Sequence, residues 1–406
     1  MTQVLSPLAI SAFTATSNLG RGLDASWAAI ESQRTMLKPC DFMGLSLPTW
    51  IGEVAGLAQV VLPAGFEKFD CRNNRLAMLG LEQDHFADAV RVAMRHYGSD
   101  RLGLFLGSST SGLLQTELAY RARDPVSRAL PEWLHYRQTH NMYSLADFVS
   151  HYFGITGPAS VVSVACASSA KVFATAARAI ATGVIDAALV GGVDTLCLTT
   201  LYGFASLELL SPQPCRPFDA ARSGISIGEA AAFALLEPVA GRHPSISDQA
   251  PRSLLLGFGE SSDAHHMSTP HPQGLGAKRA MRQALASAGL APENIDYINL
   301  HGTATPSNDG AEDAAVDSIF AGQVPVSSTK AAHGHTLGAA GALEAAVCLL
   351  AMRHGVMPGG VNVQTLDATL RSPYLTRNQP KRLRRVLSNS FGFGGANCSL
   401  VLGLES

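Results

Sequence analysis

The sequence predicts a mixed α/β fold in which helices cover sheets, built as two similar halves. Three observations predict it. β-Branched runs alternate with alanine-rich helical stretches, a strand–turn–helix unit occurs once in each half, and a polar, aperiodic segment lies between them. In the first half the unit is Val161-Val-Ser-Val-Ala-Cys166-Ala-Ser-Ser-Ala-Lys171. A β-branched run ends at the cysteine, and Val172, Ala176, Ala179 and Ile180 then recur on one helical face. Gly183 suits the end of that helix. Val184 to Gly192 reads as a further strand. In the second half Ile295 to Leu300 reads as a strand ending at His301, and Val324-Pro-Val-Ser-Ser-Thr-Lys330 as a strand and turn. An alanine-rich helix follows, with Leu343, Ala346, Val347 and Leu350 on one face, ending near Gly355. Glu237 to Arg252 is polar and holds three prolines, so it reads as the linker. The halves are therefore residues 1–250 and 251–406.

Composition bounds the function. With 406 residues, 47% hydrophobic and 15% charged, the chain can bury a large core. A formal net charge of −2 gives no reason to expect nucleic acid or an anionic membrane surface. The N-terminus lacks the basic opening of a signal peptide, and long apolar runs are broken early, so no membrane insertion is expected. Seven cysteines without CxxC spacing fit a reducing, cytoplasmic setting and give no support to a zinc or redox motif.

The candidate chemistry lies in four segments. Cys166, placed before a helix N-terminus, is expected to favour the thiolate, a nucleophile for a carbonyl. The other six cysteines read as small core residues. His301-Gly-Thr-Ala-Thr305 follows directly on a strand end, where active-site groups tend to sit. Thr329-Lys330-Ala-Ala-His333-Gly-His335-Thr-Leu-Gly places a lysine and two histidines in a glycine-rich turn. It lacks phosphate-loop spacing, and Lys330 would repel a metal ion. In Asn389-Ser-Phe391-Gly-Phe393-Gly-Gly395-Ala-Asn397 the glycines let the backbone turn sharply and present its N–H groups.

Together these segments resemble the elongating β-ketoacyl-acyl carrier protein synthases, condensing enzymes on the thiolase fold. The likeness covers almost the whole chain. It includes Arg216-Pro-Phe-Asp219, Ser223 to Glu229 and Asp263-Ala-His-His-Met267. The Cys–His–His set is that of the elongating branch; the initiating branch carries Cys–His–Asn. The first strand, near Val4 to Leu19, is the poorest match. Phe66 to Leu76 is similar to ketosynthases of aryl polyene pathways. A thiolase would lack the Thr-Lys to Gly-His-Thr-Leu-Gly arrangement. A non-catalytic chain-length factor would typically replace the cysteine.

The resemblance implies a layered α-β-α-β-α sandwich with duplicated halves. It also implies decarboxylative condensation of a malonyl unit with a Cys166-bound acyl chain, in fatty-acid or polyketide-type elongation. Cys166 would be the nucleophile, His301 and His335 the donors to the enolate, and Lys330 the lysine near the nucleophile, with Glu344 as its acidic partner. The amides of Cys166 and Phe393 would form the oxyanion hole. Thr303 and Thr305 would bond the pantetheine arm, and Thr110 and Phe393 would line the acyl pocket. Lys68, Arg72 and Arg75 would dock an acidic acyl carrier protein. His333, His265 and His266 read as structural, and Lys381 to Arg385 as surface charge. No cofactor or metal is implied beyond the carrier's own phosphopantetheine. The partners implied are the carrier and a second ketosynthase-like chain, as a homodimer or a heterodimer.

Overall fold

The computed structural model describes residues 4–239 and 252–405. Among the described residues, ten principal strands fall five to each half. The first half holds β1 (Leu8–Ser17), β2 (Leu102–Gly107), β3 (Ala159–Val162), β4 (Ala187–Asp194) and β5 (Ala230–Pro238). The second holds β6 (Ser253–Ser262), β7 (Tyr297–Asn299), β8 (Val326–Ser327), β9 (Arg385–Phe391) and β10 (Ala396–Leu404). Their spatial orders are β1-β5-β4-β2-β3 and β6-β10-β9-β7-β8. Each strand of the first half thus has its counterpart five strands later. The sense of pairing also repeats. β1/β5 and β5/β4 are antiparallel, as are β6/β10 and β10/β9. β4/β2 and β2/β3 are parallel, as are β9/β7 and β7/β8. The halves join edge to edge where Leu8, Ala9 and Ile10 of β1 pair with Leu255, Leu254 and Ser253 of β6. This is the thiolase-type duplication.

The ten longer helices are α1 (Leu23–Glu31), α2 (Arg72–Leu81), α3 (Phe86–Tyr97), α4 (Leu113–Arg121), α5 (Ser144–Phe153), α6 (Ser168–Ala181), α7 (Leu198–Ser206), α8 (Leu275–Ala288), α9 (Pro306–Phe320) and α10 (Ala340–His354). Strand alternation assigns them to layers. In β4, Ala188 and Val190 face a core shared with α6 and α10, while Ala187, Leu189 and Val193 face a second core with α2, α3 and α5. In β10, Leu400 and Leu402 face the shared core, and Val401 faces α8 and α9. The layers are thus outer helices, sheet, α6 with α10, sheet, outer helices.

A helix between two sheets must be apolar all round and thin enough for close approach. α10 meets both demands: thirteen of its fifteen residues are buried. A Cβ at Gly341 would lie 2.6 Å from the backbone nitrogen of Ala170 on α6, so glycine is needed where the two helices cross. The stretch Leu337–His354 has the length and mean hydropathy (1.3) of a membrane span. With 89% of it buried between the sheets, it is a core helix.

The linker reading is corrected at its ends. Glu237 and Pro238 belong to β5, where Glu237 pairs with Ala9, and β6 begins at Ser253. Residues 240–251, which include the boundary at 250, lie outside the described residues.

Candidate active site

The parallel pairings set where the chemistry can be. β2, β3 and β4 run the same way, as do β7, β8 and β9, so their carboxyl ends open in common directions where loops gather. Cys166 follows β3, His301 follows β7, Lys330 and His335 follow β8, and Phe391 and Phe393 close and follow β9. Positions spread over more than two hundred residues are brought to one point. Cys166, His301 and His335 present ligand-type atoms within 4.8 Å of one another. All three residues line one cleft, together with Thr303, Thr305 and Phe393.

The turn before α6 is strained. Ala165 lies at φ 52°, in the left-handed region that side chains avoid, and so turns Cys166 out of the strand direction. The Cys166 Sγ atom is 3.0 Å from His335 Nε2. Leu337 N–H donates to His335 Nδ1 at 3.2 Å. A backbone N–H can only donate, so Nδ1 is the bare nitrogen, and the neutral ring carries its proton on Nε2. His335 therefore donates to the sulfur. The Lys330 ammonium approaches His301 Nδ1 at 3.3 Å, which fixes the same tautomer. Burial and the nearby Lys330 charge hold both imidazoles well below the usual histidine range, so both are neutral single donors. The rings meet edge-on, centroids 5.2 Å apart. A metal would need the Nε2 lone pair that this proton occupies. The Cys–His–His group is thus arranged to donate hydrogen bonds.

Lys330 and Glu344 form a fully buried ion pair. Burial pushes Glu344 up to about 7 against the pull of the Lys330 ammonium. His333 is structural: Nδ1 faces the Gly334 carbonyl and Nε2 the Thr329 hydroxyl. The backbone N–H groups of Phe393 and of Cys166 itself act on the sulfur. Gly392 makes that approach possible. A Cβ there would sit 2.9 Å from the Val164 carbonyl oxygen and 3.2 Å from the Cys166 nitrogen. The Phe393 ring packs on Phe204 of α7, centroids 5.7 Å apart. The Thr303 and Thr305 hydroxyls bond each other at 2.9 Å on the cleft wall. Thr305 also caps α9 by accepting from Asn308 N–H.

Three expectations are corrected. The thiolate does not dominate at Cys166, because burial pushes its thiol up to about 11. A helix N-terminus contributes only about 1 kcal/mol, under one pKa unit, and desolvation outweighs it. Alkylation of Cys166 by iodoacetamide is therefore expected to rise close to tenfold per pH unit between about pH 7 and 9. A plateau below neutral pH in peptide-resolved mass spectrometry would contradict this. Second, Thr110 does not line the cleft: its hydroxyl donates to Asp194 at 2.8 Å, so its polarity says nothing of the acyl chain. Third, Arg72 is not a docking residue. Its guanidinium is committed to buried Glu229 (2.6 Å) and to Glu53, and it lies over the Phe42 ring. Arg75 is clamped on Asp70, which leaves Lys68 as the exposed member of that trio.

The sequence reading missed two buried acids. Glu312 on α9 accepts the backbone N–H groups of His301 and Gly302, each at 2.8 Å, and fixes the loop that carries His301. Asp194 ends β4 and collects donors from two loops. A carboxylate closing an apolar strand is a signal that could have found it. His266 and Ser268 also line the cleft mouth.

A sulfur nucleophile beside paired imidazole donors and the backbone N–H groups of Cys166 and Phe393 is what moving acyl groups between thiols and carbon requires. Fold and site together define a thiolase-type condensing acyltransferase. The chain belongs to the β-ketoacyl synthase family: the N-terminal domain model of that family matches residues 6–240 and the C-terminal domain model residues 252–364. It is 31% identical to a 3-oxoacyl-[acyl-carrier-protein] synthase 2 of Coxiella burnetii, over 97% of both chains. It is 39% identical to the mitochondrial 3-oxoacyl-[acyl-carrier-protein] synthase of Arabidopsis thaliana, over 62% of this chain and 58% of that one. Among solved structures it is similar to a ketosynthase (ApeO) in complex with its chain length factor (ApeC) from Xenorhabdus doucetiae. That match has a TM-score of 0.87 and 38% identity, and it covers 98% of each chain. The ishigamide ketosynthase/chain length factor matches with a TM-score of 0.88 and 26% identity, over 99% of this chain and all of that one.

Proposed function

We propose that this chain extends an acyl group by decarboxylative condensation with malonyl on an acyl carrier protein. The observation that carries the reading is the convergence of Cys166 with two histidines whose Nε2–H tautomers are fixed.

The Cys166 thiol gives up its proton and attacks the acyl thioester carbonyl as the thiolate, and the N–H groups of Cys166 and Phe393 receive the oxyanion. Such donors are worth roughly 3–4 kcal/mol each. The carrier thiolate leaves and takes up the proton that Cys166 gave up, with the acyl group now on Cys166. Malonyl thioester then enters. Its carbon–carboxylate bond breaks, carbon dioxide departs, and the electron pair passes into an enolate whose oxygen accepts from Nε2–H of His301 and His335. The enolate carbon attacks the Cys166 thioester, the sulfur leaves as thiolate, and a β-keto chain two carbons longer remains on the carrier. Neutral histidines suit this step, since each offers a proton without giving it up. The Lys330–Glu344 pair holds His301 in the donating form and sets positive charge near the sulfur. Thr303 and Thr305 bond the pantetheine arm. The chain needs no cofactor of its own, because the carrier brings both substrates.

The working assembly pairs this chain with a second ketosynthase-like chain. Similar proteins of known structure were solved with a chain length factor. β3 ends its sheet with a half-exposed outer edge, and exposed Tyr120, Leu130, Trp133, Tyr136 and Tyr143 lie in the segment between β2 and β3. All seven cysteines are free, which suits the reducing cytoplasm. The likeness to a ketosynthase solved with its chain length factor, together with the aryl polyene-like Phe66 to Leu76 stretch, favours an aryl polyene-type chain in such a heterodimer.

The purified chain, alone and co-expressed with a ketosynthase-like partner, should be given acyl- and malonyl-loaded carriers. The expected product is the β-ketoacyl carrier, read by intact mass. Product with the partner only would make the active form a heterodimer. No acyl transfer and no carbon dioxide release under either arrangement would overturn the reading.

A further inference from the structure

We propose that Asp194 is a positioning residue that sets the tautomer and orientation of His335, and so governs the decarboxylating half-reaction. The inference rests on the condensing role given above. Asp194 is fully buried at the end of β4. Its Oδ1 accepts from the Ser108 hydroxyl (2.7 Å), Ser109 N–H (2.9 Å), Thr110 N–H (2.9 Å) and the Thr110 hydroxyl (2.8 Å). Its Oδ2 accepts from Ser109 N–H (3.0 Å), the Ser109 hydroxyl (2.5 Å) and Gly338 N–H (2.6 Å). Gly338 N–H also donates to Ser109 Oγ at 3.1 Å. One carboxylate thus ties the loop after β2 to the turn after His335.

That turn is not at rest. Leu337 lies at φ 53°, where a bulky side chain is disfavoured. It is Leu337 N–H that keeps Nδ1 of His335 bare. Gly338 is the residue on which the clamp closes: a Cβ there would lie 2.7 Å from Asp194 Oδ2 and 2.8 Å from Ser109 nitrogen. Without the carboxylate, Gly338 N–H loses its shorter acceptor and keeps only the Ser109 hydroxyl, which Asp194 itself holds in place, so Leu337 is freer to leave the left-handed region. His335 then loses its tautomer lock. His301 is held from a separate loop by Glu312 and keeps its place. The expected defect is therefore one-sided.

The test uses the full chain with Asp194→Asn and the milder Ser109→Ala, which removes one hydroxyl tether and leaves every backbone donor in place. Three quantities are read: acyl loading of Cys166 by intact mass, carbon dioxide release from malonyl carrier, and the His335 tautomer by NMR of nitrogen-labelled histidine. For Asp194→Asn, decarboxylation should fall roughly 100-fold, as for loss of an oriented donor. Acyl loading should fall by less than about tenfold, as for one hydrogen bond, and the Nε2–H signature of His335 should be lost. Ser109→Ala should shift the same ratio the same way by a few-fold, and it decides the matter if Asp194→Asn does not fold. Equal loss of both half-reactions, or an unchanged tautomer in the variants, would overturn the proposal. If the unmutated chain neither loads acyl groups nor releases carbon dioxide, the condensing role itself fails, while the tautomer readout still tests the clamp.

Discussion

Cys166→Ala is expected to end condensation, by a factor of at least about ten thousand, because it removes the one thiol that lines the cleft. The remaining six cysteines are buried, and none of them lines the cleft. The two half-reactions use different groups, and the variant should separate them. Acyl loading should disappear from the intact mass. Carbon dioxide release from malonyl carrier should persist, since the enolate is held by His301 and His335 and not by sulfur. Alanine removes the thiol without adding bulk, so the pair of rings stays in place. Loss of decarboxylation together with loading would mean that sulfur takes part in both steps.

His335→Ala is the second large effect. It removes one of two enolate donors, and decarboxylation should fall roughly 100- to 1000-fold, the range for one oriented donor. Self-acylation should fall less, by about tenfold, because only the hydrogen bond from Nε2–H to the sulfur at 3.0 Å is lost there. Rapid-quench measurement of acyl loading beside carbon dioxide release gives both numbers. Equal losses would place His335 with the nucleophile alone and leave the enolate to His301.

Much of this site was legible because each reactive residue stands just past a strand whose pattern is plain. The run before Cys166 is β-branched, the one before His301 sets isoleucine, tyrosine and leucine among polar residues, and the alanine-rich stretches after Cys166 and Lys330 suit close packing between two sheets. The edge-to-edge join of Leu8–Ile10 with Ser253–Leu255 was not legible, since it depends on strand order across the halves. Arg72 and Thr110 were misread for one reason. Their partners, Glu229 and Asp194, lie 157 and 84 positions away, and an isolated Arg or Thr reads as available when its acceptor is out of sight. The thiol at Cys166 was misread because a helix N-terminus is visible in sequence and burial is not. Glu312 escaped notice because an acid on a helix ordinarily faces water; here it faces the amides of the His301 loop.

Peptide mapping of the unmutated protein after exposure to an acyl-loaded carrier shows which side chain holds the acyl group. One acyl group is expected, attached through a thioester to the peptide containing Cys166, and it should be discharged when malonyl carrier is added. An acyl group on any other cysteine, or a Cys166 adduct that malonyl carrier leaves untouched, would contradict this.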